Sequence, residues 1–281
     1  MTPLFQTSQT VFAPAKLNLF LHVVGRQPDD GLHRLESLFV FLSIGDRLTF
    51  SPAHGFDLRM TPDLGVPRDQ NLAWRALDGV RASAPDLPTV SIKIEKCLPA
   101  EAGLGGGTAN AAAVVHWAEN LRPDVEFRST LAGLGADMPP SLDQQSRLWS
   151  GTGDEPGRII HGLKGTPVLL LKPPTGVSTG ACFSALGGVF SPKGAFSASE
   201  DVQTALKSAQ NDLEGPAKKL NPDIAEALER LSAFDGTWLV RMTGSGSTCF
   251  ALFHEKGPRD AALDQLIRDK PTWWSAAAEI L

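Results

Sequence analysis

Residues 98–113 read LPAEAGLGGGTANAAA, with four glycines at positions 103, 105, 106 and 107 directly before an alanine-rich run. Glycine has no Cβ and adopts left-handed backbone conformations easily, so it lets backbone N–H groups come close to a bound phosphate. The alanine-rich run predicts a helix that opens at Thr108, whose first amides and positive dipole end favour an anion. The stretch therefore predicts a phosphate-binding loop, with Thr108 as helix cap or as a hydroxyl for a phosphate-bound metal.

Two common phosphate-binding motifs do not fit this stretch. A Walker loop carries a Lys-Ser/Thr pair after its glycines, whereas Gly107 is followed by Thr108-Ala109. A dinucleotide fingerprint needs a third glycine or alanine in register and an acidic residue closing the next strand, whereas Glu119 and Asp124 lie in or just after the predicted helix. A loop that only turns a strand tightly into a helix remains the structural alternative.

Composition limits the classes of protein to consider. The chain has 281 residues, 42% of them hydrophobic, which is enough for two modest domains or one large one. The formal net charge of −5 and the lack of any Lys/Arg-rich block argue against a nucleic-acid partner. An anionic ligand would therefore be held by local groups.

Cysteine spacing and hydropathy give two further expectations. Cys97, Cys182 and Cys249 show no CxxC spacing, so neither a zinc site nor a disulfide framework is predicted. No segment approaches the roughly 20 apolar residues of a membrane span, and no basic flank with a long apolar run precedes Lys16. We expect a cytoplasmic protein without a membrane partner.

An alternating strand is predicted over 16–24, in which Lys16, Asn18, Phe20 and His22 share one face. A lysine and an asparagine on the same face can jointly grip an oxygen-rich ligand. The alternative is that this face meets solvent.

Several other local signals place the remaining motifs. The apolar run at 38–42 is predicted to end at Gly45-Asp46, before a short strand at 47–50, and Asn71 has the form of a helix cap. Asp137 stands ahead of Met138-Pro139, and its structural alternative is again a helix cap. The loop at 243–247 joins two predicted strands, either as an anion-binding turn or as a plain hairpin loop.

Three stretches occur in a fixed order: PAKLN at 14–18 with GLH at 31–33, the glycine stretch, and MTGSGST at 242–248. Their order and wording resemble the GHMP kinase superfamily, and shorter matches at 134–139, 177–179 and 210–214 extend the resemblance over nearly the whole chain. The resemblance implies an α+β fold of two domains. These are an N-terminal, ribosomal-protein-S5-like, ATP-binding domain at 1–157 and a C-terminal ferredoxin-like domain at 158–281, with the active site in the cleft between them.

The resemblance also implies a reaction. Within the superfamily, the match is to the branch that uses ATP and Mg²⁺ to phosphorylate the 2-hydroxyl of a cytidine diphosphate-linked methylerythritol in the non-mevalonate isoprenoid route. Asp137 matches the catalytic aspartate that takes the hydroxyl proton, and Lys16 matches the lysine beside it. The matched ATP-binding positions are Asn71, Lys96, Pro99, Ala100, Glu101, Ala102, Gly103, Leu104, Gly105, Gly106, Gly107, Thr108 and Ala109. The matched substrate-binding positions are Asn18, Leu32, His33, Thr179, Phe183, Gly244 and Ser245.

One position departs from the pattern of this branch, which usually has tyrosine before the histidine. The residue here is Leu32, and base stacking on an aromatic ring is worth about 1–3 kcal/mol, so weaker cytidine binding is predicted unless Phe183 covers the base. The alternatives are another small-molecule GHMP kinase, of the homoserine or mevalonate type, and a non-catalytic nucleotide-binding regulator of the same fold. We expect a monomer or a weak homodimer.

Overall fold

The computed structural model describes residues 5–194, 196 and 201–281. Its strands are β1 (Gln9–Arg26), β2 (His33–Pro52), β3 (Asp57–Thr61), β4 (Val90–Glu95), β5 (Arg147–Ser150), β6 (Glu155–Ile159), β7 (Pro167–Lys172), β8 (Thr237–Met242), β9 (Cys249–Phe253) and β10 (Trp274–Glu279). Its helices are α1 (Leu72–Ser83), α2 (Gly106–Leu121), α3 (Arg128–Leu131), α4 (Met138–Asp143), α5 (Thr179–Ser184), α6 (Val202–Ser208), α7 (Glu214–Leu220), α8 (Asp223–Ser232) and α9 (Lys256–Asp269). In the part of the chain described, no helix has the length and apolar character that a membrane crossing requires.

Contacts between residues divide the chain into two compact units. The first unit comprises residues up to 16, 44–100 and 105–144, and the second comprises 17–43, 101–104 and 145–281. β1 and β2 contribute to both units, because the divisions fall inside these strands. The predicted domain boundary between 157 and 158 stays a prediction, because each unit is defined by contacts between residues and combines three separate segments of the chain.

The first unit is a small sheet covered by helices. Within it, residues 47–52 of β2 pair antiparallel with β4, and β3 pairs parallel with β4. α1 and α2 pack against each other, and the Phe50 and Trp117 rings stack in the core with centroids 4.9 Å apart. Burial of α2 along most of its length fixes its first turn within this unit.

The second unit contains a four-stranded antiparallel sheet in the order β10-β7-β9-β8. Three short helices, α5, α6 and α7, lie between β7 and α8 in the chain. Apart from them, β7, α8, β8, β9, α9 and β10 occur in the order β-α-β-β-α-β, which is the ferredoxin-like arrangement. α8 packs on β8 and β9, and α9 packs on β10 and β7, around a core that includes Leu171, Leu231 and Phe253. In the same unit β5 pairs with β6 and with residues 37–39 of β2. The predicted mixed α+β fold is confirmed.

Two local predictions are wrong. α2 begins at Gly106 rather than at Thr108, and its N-cap is Gly105 at φ 67°, without a capping side chain. Gly105 supplies the left-handed turn that lets the helix start at once, so Thr108 lies inside the first turn and is not the cap. β2 is also one continuous strand from His33 to Pro52, without the break predicted at Gly45-Asp46, and at this point the Gly45 backbone lies against Ala13 of β1.

Both faces of β1 are buried over its central residues. Lys16, Asn18, Phe20 and His22 all belong to the buried set, so the solvent-facing alternative for this face is wrong. Buried polar groups need partners, and Lys16 finds its partner in the first unit and Asn18 its partners in the second.

Candidate active site

The first unit brings together the two residues that the resemblance identifies as catalytic. Nζ of Lys16, at the end of the β1 segment in this unit, lies 3.1 Å from Oδ2 of Asp137. Asp137 directly precedes α4, but its side chain makes no capping hydrogen bond among the described contacts. The Lys16 side chain is 8% exposed and that of Asp137 is 36% exposed, so the carboxylate remains reachable by a ligand. The helix-cap alternative for Asp137 does not account for this carboxylate.

The start of α2 lies along the Lys16 side chain. A Cβ placed on Gly105 would lie 3.5 Å from both Cβ and Cε of Lys16, which is ordinary van der Waals contact. The first helical hydrogen bond runs from the Ala109 N–H to the Gly105 carbonyl at 2.8 Å. The amides of residues 106–108 precede that bond, as in any helix N-terminus that receives an anion. The predicted anion-binding geometry and the acid–base pair therefore lie in the same unit.

Asp46 is a buried carboxylate that the sequence analysis missed. Its Oδ1 accepts hydrogen bonds from the N–H groups of Cys97 (2.8 Å) and Leu98 (3.0 Å), and its Oδ2 forms an ion pair with Lys96. Lys96 in turn lies at the first turn of α2, because a Cβ on Gly106 would lie 3.4 Å from Lys96 Nζ. The sequence offered no distinctive signal for Asp46, because β2 contains other charged residues such as Glu36 and Arg47.

Asn71 is the N-cap of α1, as predicted. Its Oδ1 accepts from the N–H groups of Ala73 (3.0 Å) and Trp74 (3.4 Å). The matched role of Asn71 in nucleotide binding stays a prediction.

In the second unit, the two glycine-containing loops touch each other. Gly103 has φ 71°, and a Cβ on it would lie 2.8 Å from the Gly246 carbonyl oxygen and 3.0 Å from that of Thr243. Glycine is required here, because a side chain would force these backbones apart. The loop at 243–247 thus packs against Gly103, and its role as an anion-binding turn stays a prediction.

Asn18 is anchored to that second loop. Its backbone N–H donates to Oγ1 of Thr243 (2.9 Å), and its Nδ2 donates to Oγ of Ser37 (2.8 Å). A Cβ on Gly244 would lie 3.4 Å from Oδ1 of Asn18, so the amide oxygen faces the loop. Thr243 and Ser37 were not predicted as site residues, since a threonine and a serine carry no distinctive sequence signal.

Asn211 fixes the same loop from another direction. Its Nδ2 donates to the carbonyl oxygens of Met242 (2.7 Å) and Gly244 (2.8 Å). Next to them, the hydroxyls of Thr179 and Ser245 lie 2.9 Å apart. Thr179, Gly244 and Ser245, three of the predicted substrate-binding residues, therefore lie around one loop.

His33 and Phe183 form the aromatic part of the predicted substrate site. Their rings stack with centroids 4.9 Å apart. Burial, with a smaller contribution from the Arg26 charge, lowers the pKa of His33 below its usual value. The neighbouring Leu32 side chain contributes no aromatic ring, and the residue is 53% exposed.

The other matched ATP-binding positions of the glycine stretch differ in solvent exposure. Ala102, Leu104 and Ala109 are buried, Pro99 and Thr108 are half-buried, and Ala100, Glu101 and Gly107 are exposed. The buried apolar residues hold the stretch in place, and the exposed backbone at Gly107 is open to a ligand.

Two family models match the chain, and their descriptions agree with the motifs. "GHMP kinases N terminal domain" matches residues 71–140, and "GHMP kinases C terminal" matches residues 195–271. A protein of Methylorubrum extorquens named 4-diphosphocytidyl-2-C-methyl-D-erythritol kinase is 37% identical over 94% of this chain and 96% of its own length. The chain belongs to this GHMP kinase family.

Two solved structures share the fold of this chain. A crystal structure of a 4-(cytidine 5'-diphospho)-2C-methyl-D-erythritol kinase matches with a TM-score of 0.79 and 30% identity, covering 96% of this chain and 99% of its own. A homoserine kinase from Cytophaga hutchinsonii matches with a TM-score of 0.71 at 14% identity, covering 99% of this chain and 96% of its own. At that identity the second match shows only the shared GHMP kinase fold.

Proposed function

We propose that this chain transfers the γ-phosphoryl group of ATP to the 2-hydroxyl of 4-diphosphocytidyl-2-C-methyl-D-erythritol. Membership of the family supports the reaction, and one observation in the structure carries the assignment of residues. Asp137 occupies the position of a helix cap, but its carboxylate contacts the buried Lys16 ammonium instead. A carboxylate paired in this way beside a helix N-terminus suits phosphoryl transfer to an alcohol.

Asp137 is the proposed general base. As the substrate hydroxyl oxygen bonds to the γ-phosphorus, the bond from that phosphorus to the bridging oxygen of ADP breaks, and the hydroxyl proton passes to Asp137. Lys16 orients the carboxylate through the 3.1 Å contact and stabilises negative charge on the attacking oxygen. Both groups keep these positions through the packing of their own unit.

The glycine stretch is the proposed triphosphate site. Backbone amides at residues 106–108 and the positive end of the α2 dipole attract phosphate oxygens without a charged side chain from the glycines themselves. The side chain of Lys16 runs beside Gly105, so its ammonium supplies a positive charge next to this turn. The other matched ATP-binding residues complete the proposed site.

Mg²⁺ is proposed to arrive with the triphosphate. In the described part of the chain, no three His, Cys, Asp or Glu side chains converge as a metal-binding group. Mg²⁺ at phosphoryl-transfer sites typically uses one or two carboxylates with phosphate oxygens and water, so the residues present fit such an ion. The Thr108 hydroxyl at the first turn of α2 is the group that would hold it, together with phosphate oxygens and water, and the ion would neutralise charge on the phosphates.

The alcohol substrate is proposed to contact the second unit. Asn18, with the loop that contains Gly244 and Ser245, offers amide and hydroxyl groups to the polar part of the substrate. The stacked His33 and Phe183 rings offer an aromatic surface for cytosine, and Leu32 and Thr179 complete the proposed substrate site.

A substrate comparison tests the proposal. The purified protein is incubated with ATP and Mg²⁺ and with the cytidyl alcohol, homoserine or mevalonate, and ADP release is measured together with the phosphorylated product. We expect turnover with the cytidyl alcohol alone. Preference for homoserine or mevalonate would identify another GHMP kinase, and binding of ATP and the cytidyl alcohol without transfer would identify a regulator.

A further inference from the structure

Asp46 is a charged side chain at the centre of the first unit. It lies in β2 with no exposed surface. A Cβ on the preceding Gly45 would clash with the Ala13 carbonyl oxygen, so the backbones of β1 and β2 approach closely beside Asp46 and fix the position of its backbone. A buried carboxylate lowers the stability of the fold unless hydrogen bonds and an opposite charge compensate for its lost hydration.

The partners of Asp46 all belong to the approach to the glycine stretch. One oxygen accepts from the consecutive backbone amides of Cys97 and Leu98, and the other pairs with the Lys96 ammonium. These residues directly follow β4 and lead into Pro99, the first residue of the predicted ATP loop. A single carboxylate thereby fixes the direction in which the loop leaves the sheet.

Lys96 extends this contact to the other end of the loop. A Cβ on Gly106 would lie 3.4 Å from Lys96 Nζ and 3.4 Å from Cδ1 of Leu98. Gly106 is the first residue of α2, so the Asp46 partners lie against the helix N-terminus proposed to receive the triphosphate. The start and the end of the loop are thus tied to one buried charge.

We propose that Asp46 is a positioning residue for ATP binding, which acts through Lys96 and the entry of the glycine stretch. The inference rests on the proposed function, because it takes the glycine stretch as the nucleotide site. Buried ion pairs are seldom more stabilising than apolar residues of the same volume, so stability alone is a weak reason for Asp46. A loop held in its binding geometry before ATP arrives loses less conformational entropy on binding.

The test is Asp46→Asn. The asparagine Oδ1 can still accept from the two amides, whereas the charge opposite Lys96 is lost. We expect the dissociation constant for ATP, measured by equilibrium binding, to rise about tenfold, as for loss of a charged hydrogen-bond partner. KM for the cytidyl alcohol should stay within about twofold, since none of the Asp46 partners belongs to the proposed substrate site.

A matched control separates this effect from the loss of any carboxylate. Asp57 on β3 is paired with Arg59 at 2.8 Å in the same unit, and Asp57→Asn should leave ATP binding unchanged. The double variant Asp46→Asn with Lys96→Met should bind ATP as Lys96→Met alone does, because Asp46 acts through Lys96. If the two effects multiply in the double variant, the inference is overturned.

Other outcomes are equally decisive. A folded Asp46→Asn protein with unchanged ATP binding, or with both substrates weakened equally, would assign Asp46 a purely structural role and overturn the inference. Should Asp46→Asn fail to fold, Asp46→Glu keeps the charge but moves it, and the same rise in the ATP dissociation constant is expected, with unchanged binding overturning the inference. Absence of turnover in the unmodified protein would contradict the proposed function, whereas ATP binding by the Asp46 variants still tests the inference.

Discussion

Replacing Asp137 by asparagine separates a catalytic role from a structural one. The substitution keeps the size of the side chain and removes the negative charge 3.1 Å from Lys16 Nζ. Because the carboxylate makes no capping hydrogen bond among the described contacts, little helix stabilisation is lost with it. The catalytic role and the structural role therefore predict different effects of this substitution on kcat and on stability.

The expected effects on kcat and on stability differ enough in size to distinguish the catalytic role from the structural one. Loss of a general base lowers kcat by about 10²–10⁴-fold. Two unit charges 3.1 Å apart attract by roughly 5 kcal/mol at an effective dielectric constant of about 20. With 36% of the Asp137 side chain exposed, solvent screening and side-chain entropy reduce the net contribution to about 1 kcal/mol. The catalytic role predicts a large fall in kcat with a small change in stability.

The assay combines three measurements on the same protein: kcat with the cytidyl alcohol, the dissociation constant for ATP, and the free energy of unfolding in urea. We expect kcat to fall at least about 100-fold, ATP affinity to stay within about threefold, and stability to change by about 1 kcal/mol. Asp124→Asn, which removes the carboxylate paired with Arg122 at 2.7 Å, is the control and should retain full kcat. Near-normal turnover of Asp137→Asn would refute the assignment of the general base.

Three further predictions concern other parts of the molecule. Gly103→Ala should destabilise the protein by at least about 1–2 kcal/mol in urea unfolding, because alanine at φ 71° is strained and its Cβ would lie 2.8 Å from the Gly246 carbonyl oxygen; unchanged stability would mean that the two loops do not pack in this way. Leu32→Tyr should lower KM for the cytidyl alcohol up to about tenfold by adding a stacking ring, whereas an unchanged KM would show that Phe183 already covers the base. Burial lowers the pKa of His22 below 6.5, against smaller opposing contributions from nearby carboxylates, so the fold favours the neutral ring. The contribution of His22 to the free energy of unfolding should therefore be constant above about pH 6.5 and should fall as the pH decreases below it. Urea unfolding at several pH values should show a smaller fall for His22→Gln than for the unmodified protein.

The glycine turn, the helix after it and the Asn71 cap could be predicted from the sequence, because each depends on residues close together in the chain. The glycines and the alanine-rich run act through their own backbone preferences, so a turn leading into a helix follows from composition alone. The cap at Asn71 is equally local, because its side chain bonds amides two and three residues later. The start of α2 was misplaced because the glycine at 105 turns the chain by itself and needs no side-chain cap.

The order of the motifs also determined the family before any contact was known. Lys16, the glycine stretch and the loop at 243–247 stand far apart in the chain, and their combination is specific even though each motif alone is weak. The ferredoxin-like second half followed from the same resemblance and is present in the sheet order β10-β7-β9-β8.

Tertiary structure alone decided which partner each polar group takes. The sequence left Asp137 as either a helix cap or a base, and only packing brings its carboxylate to Lys16. It gave no function to Asp46, whose partners are the residues that directly follow β4. The physical reason is that backbone preference acts over a few neighbouring residues, whereas the pairing of a buried charge depends on which distant segments the folded core places within hydrogen-bonding distance.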